Sequence, residues 1–183
     1  MRGFGRQLFV LVLGPVLLGT ALGMSGGGAR ADEADCKAVL DAILKLMRTP
    51  VHQTISVENA VSPGKPLLSE IVRTQSTTYT LVRGQWMARP YDGKKAAEDA
   101  AQTMQKAAHT CSRVRSETVD GQAAELYSVQ AKTEQSTVDS QIWISTSTGL
   151  PLRQHTEMSG AAKAKHEVHF DYTNVRAPMG VSH

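Results

Sequence analysis

Gln141-Ile142-Trp143-Ile144-Ser145-Thr146-Ser147-Thr148-Gly149-Leu150-Pro151-Leu152-Arg153 is the stretch on which the fold turns. Ile142, Trp143 and Ile144 are β-branched or aromatic, the types that suit a pleated, half-buried surface. Thr146 to Gly149 are turn residues, with a glycine for any backbone angle the reversal demands. Leu150-Pro151-Leu152-Arg153 opens a second strand, with proline at the strand start where a missing N–H is tolerated. A reversal this short joins antiparallel strands.

The same grammar extends in both directions. Val114 to Thr118 and Ala123 to Lys132 flank Val119-Asp120-Gly121-Gln122, an Asp-Gly hairpin signal. Lys165 to Thr173 predicts a last strand. It carries Val168, Phe170 and Tyr172 on one face and Glu167, His169 and Asp171 on the other. Upstream, Ile55, Val57 and Val61 alternate with polar neighbours, Ser62-Pro63-Gly64-Lys65-Pro66 turns, and Leu67 to Thr74 and Thr77 to Val82 continue the sheet. Arg83-Gly84 leads into Gln85 to Ala88, and Pro90-Tyr91-Asp92-Gly93 breaks the pattern.

Two segments switch to helical period. In Ala34 to Arg48, Cys36, Val39, Leu40, Ile43 and Met47 share one face, and Pro50 forbids continuation. Lys94 to Thr110 is Ala-rich, with Ala97, Ala101, Met104 and Ala108 on a narrow face. Helix, strands, helix, strands is an α+β order. It predicts a single curved antiparallel sheet of about seven to nine strands with two helices packed on one face.

The N-terminus reads as an export signal. Arg2 and Arg6 precede an apolar run, Leu8 to Leu22, too short and too broken by Pro15 and glycines to span a bilayer well. Ala29-Arg30-Ala31 is a small-x-small cleavage site. The expected division is a signal peptide at 1–31 and one domain at 32–183, with 173–183 a loose tail. Arg2, Arg6 and Arg30 leave with the signal, which brings the 20 basic residues level with the 17 acidic ones. A balanced, interspersed charge argues against nucleic acid as a partner. Glu33-Ala34-Asp35 before Cys36 is no lipobox, so no stable membrane insertion is expected after cleavage. In an exported chain two cysteines default to a disulfide, Cys36–Cys111. As placed by the predicted helices it staples one to the other, and closing so long a loop is worth roughly 4 kcal/mol.

Residues 141–153, with Val119-Asp120-Gly121-Gln122-Ala123-Ala124-Glu125-Leu126-Tyr127 before them and Asp171-Tyr172-Thr173-Asn174-Val175 after them, resemble the lipoprotein-carrier half-barrel superfamily. That group includes the LolA carrier, the LolB receptor and the N-terminal domain of RseB. The whole chain also resembles a set of small exported bacterial proteins with one cysteine before the first helix and one after the second. The resemblance implies a curved sheet whose concave, apolar side, partly lidded by helices, takes up acyl chains or an apolar peptide. It implies a periplasmic protein of a Gram-negative cell, or a secreted one. The chain departs from the group in lacking the receptor's protruding apolar loop and a lipidation cysteine.

Tyr79, Leu81, Trp86, Tyr127, Val129, Ile142, Ile144 and Phe170 are the candidate groove lining, with Trp86 at the rim. The plainer reading of each is core between sheet and helices. Little else points to chemistry. His166 and His169 fall on opposite faces of one strand, His52, His109 and His155 on separate elements, and His183 at the terminus, so no metal set is expected. Glu125, Asp139, Glu157 and Asp171 are scattered over the strands. Nucleophile, zinc, dinucleotide and phosphate-loop motifs are absent. The expectation is a non-enzymatic protein, without catalytic residues or cofactor, that binds lipid or the acyl chains of a lipoprotein. The alternative is a structural or regulatory envelope domain that binds another protein and no small ligand.

Overall fold

The computed structural model describes residues 28–59, 64–106, 108–132, 136–160 and 163–182. The expected signal segment thus lies outside the described residues up to residue 27. In chain order the elements are α1 (Gly28–Arg48), β1 (Val51–Asn59), β2 (Leu67–Arg73), β3 (Thr77–Val82), β4 (Gln85–Pro90), α2 (Gly93–Lys106), β5 (His109–Val119), β6 (Gln122–Lys132), β7 (Ser136–Ser145), β8 (Pro151–Gly160), β9 (Ala164–Asp171) and β10 (Val181–Ser182).

The strands form one open, curved sheet in the order β10-β4-β3-β2-β1-β9-β8-β7-β6-β5. Nine strands pair antiparallel, and the two residues of β10 add a parallel tenth beside Trp86 and Met87. Two meanders build the sheet. β1 to β4 run outward to one edge, α2 carries the chain to the other, and β5 to β9 return until β9 pairs with β1. The turns follow from their residues: Asp120 (φ 49°) and Gly121 (φ 78°) take the two left-handed positions that a two-residue hairpin turn requires.

Both helices lie on one side. Val39, Ala42 and Leu46, spaced by helical turns, are the buried stripe of α1. The helix lies along β5 and reaches β6, β7 and β8, while α2 packs on α1. Val39 and Ala42 close over Ile142 and Ile144, with Ile43, Met104, Tyr127 and Val129 around them. We call this the inner face. α2 begins on Asp92, whose carboxylate accepts the N–H groups of Lys94 and Lys95 at 2.9 and 3.1 Å. Gly93 sits against the end of α1, where a Cβ would lie 2.7 Å from the Met47 carbonyl oxygen. Only glycine fits there.

Several boundaries correct the expectation. α1 starts at Gly28, not Ala34, and so runs through the expected cleavage site. α2 ends at Lys106, and His109 already belongs to β5. The disulfide Cys36–Cys111 is present with Cα atoms 5.0 Å apart. It joins α1 to the edge strand β5, not one helix to the other. Alanine periodicity carried the helix forecast past its end, whereas pairing with β6 recruits His109 to Arg113 as strand. The expected loose tail is partly placed as well, because Val181 and Ser182 pair with β4.

Candidate ligand-binding face

Cross-strand partners share a face, so the register divides every side chain of the sheet into inner and outer sets. From Ile142 the inner row passes through Tyr127 on β6 and through Gln154, Val168, Ile55 and Ser69 across β8, β9, β1 and β2. Two residues along β2, Ile71 faces Thr80 on β3. The inner face thus holds Val129, Tyr127, Ile142, Ile144, Val168, Phe170, Ile55, Val57, Ile71 and Arg73.

This row is not uniformly covered. Beneath α1, Ile142 and Ile144 are 5% and 8% exposed and form the core. Beyond it, Ile55, Val57, Ile71, Val168 and Phe170 remain half-buried on β1, β2 and β9. At the open end of β2, Leu67 is 62% exposed. Apolar side chains in a contiguous, half-covered strip are the usual lining of a site for an apolar ligand.

The closed end of the strip is a polar clamp. Arg73, 6% exposed, donates through Nη2 to the Leu46 carbonyl of α1 at 2.6 Å and stacks over the Tyr91 ring at 5.1 Å. Tyr91 donates its hydroxyl to the Met47 carbonyl at 2.6 Å. Two side chains thereby satisfy carbonyls that the last turn of a helix leaves free, and the guanidinium sits where the helix dipole is negative. Burial lowers the pKa of Arg73 and raises those of Tyr91 and Tyr172. The phenols stay neutral, and the arginine stays charged because a guanidinium is not deprotonated in proteins.

Of the eight residues expected to line a groove, five are on the inner face. Tyr127, Val129, Ile142 and Ile144 gather at the α1 core, and Phe170 lies on the uncovered strip. Tyr79, Leu81 and Trp86 are on the outer face, which corrects their grouping with the others. The parity of β3 follows from Ile71 pairing with Thr80, which turns Tyr79 and Leu81 away. Trp86 pairs with Leu81 and borders a cleft of about 240 Å³ with Val72, Thr173 and Pro178 of the C-terminal segment. Sequence reasoning missed Ile55, Val57, Ile71 and Val168 as lining. Their alternation was visible, but not which face α1 leaves open.

Across β6 to β9 the outer face is a charged surface with an apolar island. Ala124, Leu126, Trp143 and Leu152 cluster there. Leu152 joins them because a bulge opposite Trp143 and Ile144 re-aims it. Trp143 donates its indole N–H to Glu117, and Arg153 stacks on its ring at 5.2 Å. Arg153 pairs with Glu167, His155 bridges Glu167 and Glu157, and Lys165 reaches Glu157 at 3.0 Å. Burial pushes the Glu167 carboxyl up, but hydrogen bonds from Arg153 and His155 outweigh it and hold the group below its ordinary value. Such a ladder suits a solvated wall.

Both sheet edges are blunted. On β5 the outward N–H groups of Cys111 and Arg113 donate to Asp32 and Asp35 of α1 at 2.6 and 2.8 Å. On β4, β10 covers Trp86 and Met87, and Pro90 has no N–H to offer. Cys36, His109 and Cys111 bring ligand-type atoms within 4.8 Å of one another. Both sulfurs are spent in the disulfide, and metal ligation needs thiolates. No helix among the described residues is long and apolar enough to cross a membrane.

No family model and no curated protein matches the chain. Solved structures do. LprF from Mycobacterium bovis is 11% identical with a TM-score of 0.45, over 83% of this chain and 100% of that one. MucB in complex with MucA(peri) is 18% identical with a TM-score of 0.49, over 81% of this chain and 62% of that one. A DUF1329 family protein from Desulfovibrio piger is 10% identical with a TM-score of 0.30, over 82% and 95%. Overlaps of this size leave the binding chemistry of this chain to its own residues.

Proposed function

We propose that this is a non-enzymatic exported protein whose uncovered inner face holds an acyl chain, of a lipid or of an acylated protein. The observation that carries the reading is the half-buried strip of Ile55, Val57, Ile71, Val168 and Phe170 beside a closed core. Gln154 and Thr156 of β8 lie between the strip and that core. An acyl chain gains roughly 0.8 kcal/mol per buried CH₂. About ten such groups therefore set a micromolar scale before the costs of association. A partner strand is the less favoured occupant, because both edges where it could add are blocked.

Titration of delipidated protein with a fluorescent fatty acid tests the reading. Saturable binding is expected, with a melting temperature that climbs with ligand concentration as linkage requires. Well-folded protein that binds no acyl probe would sink it.

A further inference from the structure

Arg73 is a buried cation that meets no anion among the described residues. Its Nε has no hydrogen-bond partner, its Nη1 meets only the Met47 thioether at 3.8 Å, and Nη2 alone has an oxygen acceptor, the Leu46 carbonyl. A thioether is a weak acceptor, and a buried guanidinium left short of acceptors is costly. Among the described residues no carboxylate forms an ion pair with it. Its oxygen acids nearby are neutral phenols already committed, Tyr91 to Met47 and Tyr172 to the Pro151 carbonyl at 2.5 Å.

The strand wall leading to it holds nothing to neutralise it. By register, the inner positions of β1 to β4, of β9 and of β8 from Gln154 to Met158 carry no aspartate or glutamate. Glu58, Glu70, Glu157, Glu167 and Asp171 all fall on the outer side. The rung next to Arg73 toward the open end is Gln53, Ile71 and Thr80, with Phe170 beside Gln53. From Arg73 to Leu67 the strip rises six residues along β2, roughly 20 Å at strand spacing. An apolar track that ends on an unneutralised cation matches a ligand with a long tail and one anionic head.

We infer that the inner face selects long-chain carboxylates and receives them head-first, with the carboxylate pairing with Arg73 and the chain lying along Phe170, Ile71, Ile55 and Leu67. Carboxylate and guanidinium match in geometry, two N–H donors to two oxygens. The inference rests on the acyl-binding reading above and adds the head group to it. A neutral head would leave Nε unpaired and gain only the apolar contacts.

The test compares palmitic acid, hexadecanol and methyl palmitate, each titrated below its aggregation limit into wild-type protein, Arg73→Gln and Arg73→Lys. In the wild type the acid should bind about ten- to a hundredfold tighter than the alcohol or the ester, the span of a charge-assisted hydrogen bond. Arg73→Gln should bring the three ligands to similar affinities. Arg73→Lys should keep part of the preference and covers the case in which the glutamine variant does not fold. Equal binding of acid and alcohol by the wild type would overturn the head-group inference and leave the acyl reading standing. An acid preference that survives Arg73→Gln would overturn the assignment to Arg73. Failure of all three ligands to bind would overturn both.

Discussion

Ile142 and Ile144 on β7, and Ile55 and Ile71 on β1 and β2, are the same residue type on the same face of one sheet. The first pair is closed over by Val39 and Ala42 of α1, the second only half-buried. Strand chemistry does not separate them. What does is the path of one helix, tied down near its middle and at its end. Cys36 joins it to β5, and Arg73 and Tyr91 hold its last carbonyls. A helix pinned over β5 to β8 makes that half a core and leaves the other half an apolar surface only partly covered.

The largest effect should come from releasing the pin. Replacing Cys36 and Cys111 together by alanine is expected to lower stability by about 2–5 kcal/mol in urea unfolding, with the far-ultraviolet spectrum of the sheet retained. Unchanged stability would mean that α1 stays in place without the bridge, and the comparison would lose its cause.

Next comes a direct contrast of the halves. Ile142→Ala opens a cavity under α1 and should cost about 2–4 kcal/mol. Ile55→Ala, half-solvated already, should cost about 1 kcal/mol and yet weaken fatty-acid binding. Equal stability losses, or an Ile142→Ala that weakens binding while Ile55→Ala does not, would break the division.

A smaller effect is expected from acid. The Glu167 carboxyl is held below its unfolded value near 4.5 by Arg153 and His155. Its stabilisation is complete above that pH and fades as pH falls through the lower folded value. Glu167→Gln should therefore flatten the loss of stability between pH 5 and 3 in denaturant titrations. The least effect should come from Lys165→Gln at the exposed end of the same ladder, where no measurable change in melting temperature is expected.

The strand pattern, both helices, the disulfide and the α+β order were legible because each has a local cause: period, turn residues, proline stops, two cysteines. The faces within each strand were legible too, as Val168 and Phe170 opposite Glu167 and His169 show. What residues cannot state locally is parity between distant strands. Tyr79 and Leu81 read as lining until the β2–β3 register turned them outward. Nor does any local pattern show that Asp32 and Asp35 cap the edge of β5, since their partners lie 79 and 78 residues away. Arg73 carried no sequence signal, because an arginine closing a strand is commonly a solvated one.

Five isoleucines divide the molecule for one decisive measurement: Ile43 on α1, Ile142 and Ile144 beneath it, and Ile55 and Ile71 on the uncovered strip. Methyl-labelled isoleucine spectra, followed while palmitic acid is titrated into delipidated protein, report each half separately. The account predicts saturable shifts at Ile55 and Ile71, with Ile142 and Ile144 nearly still. Shifts centred on Ile142 and Ile144, or none at Ile55 and Ile71 at saturating ligand, would contradict it.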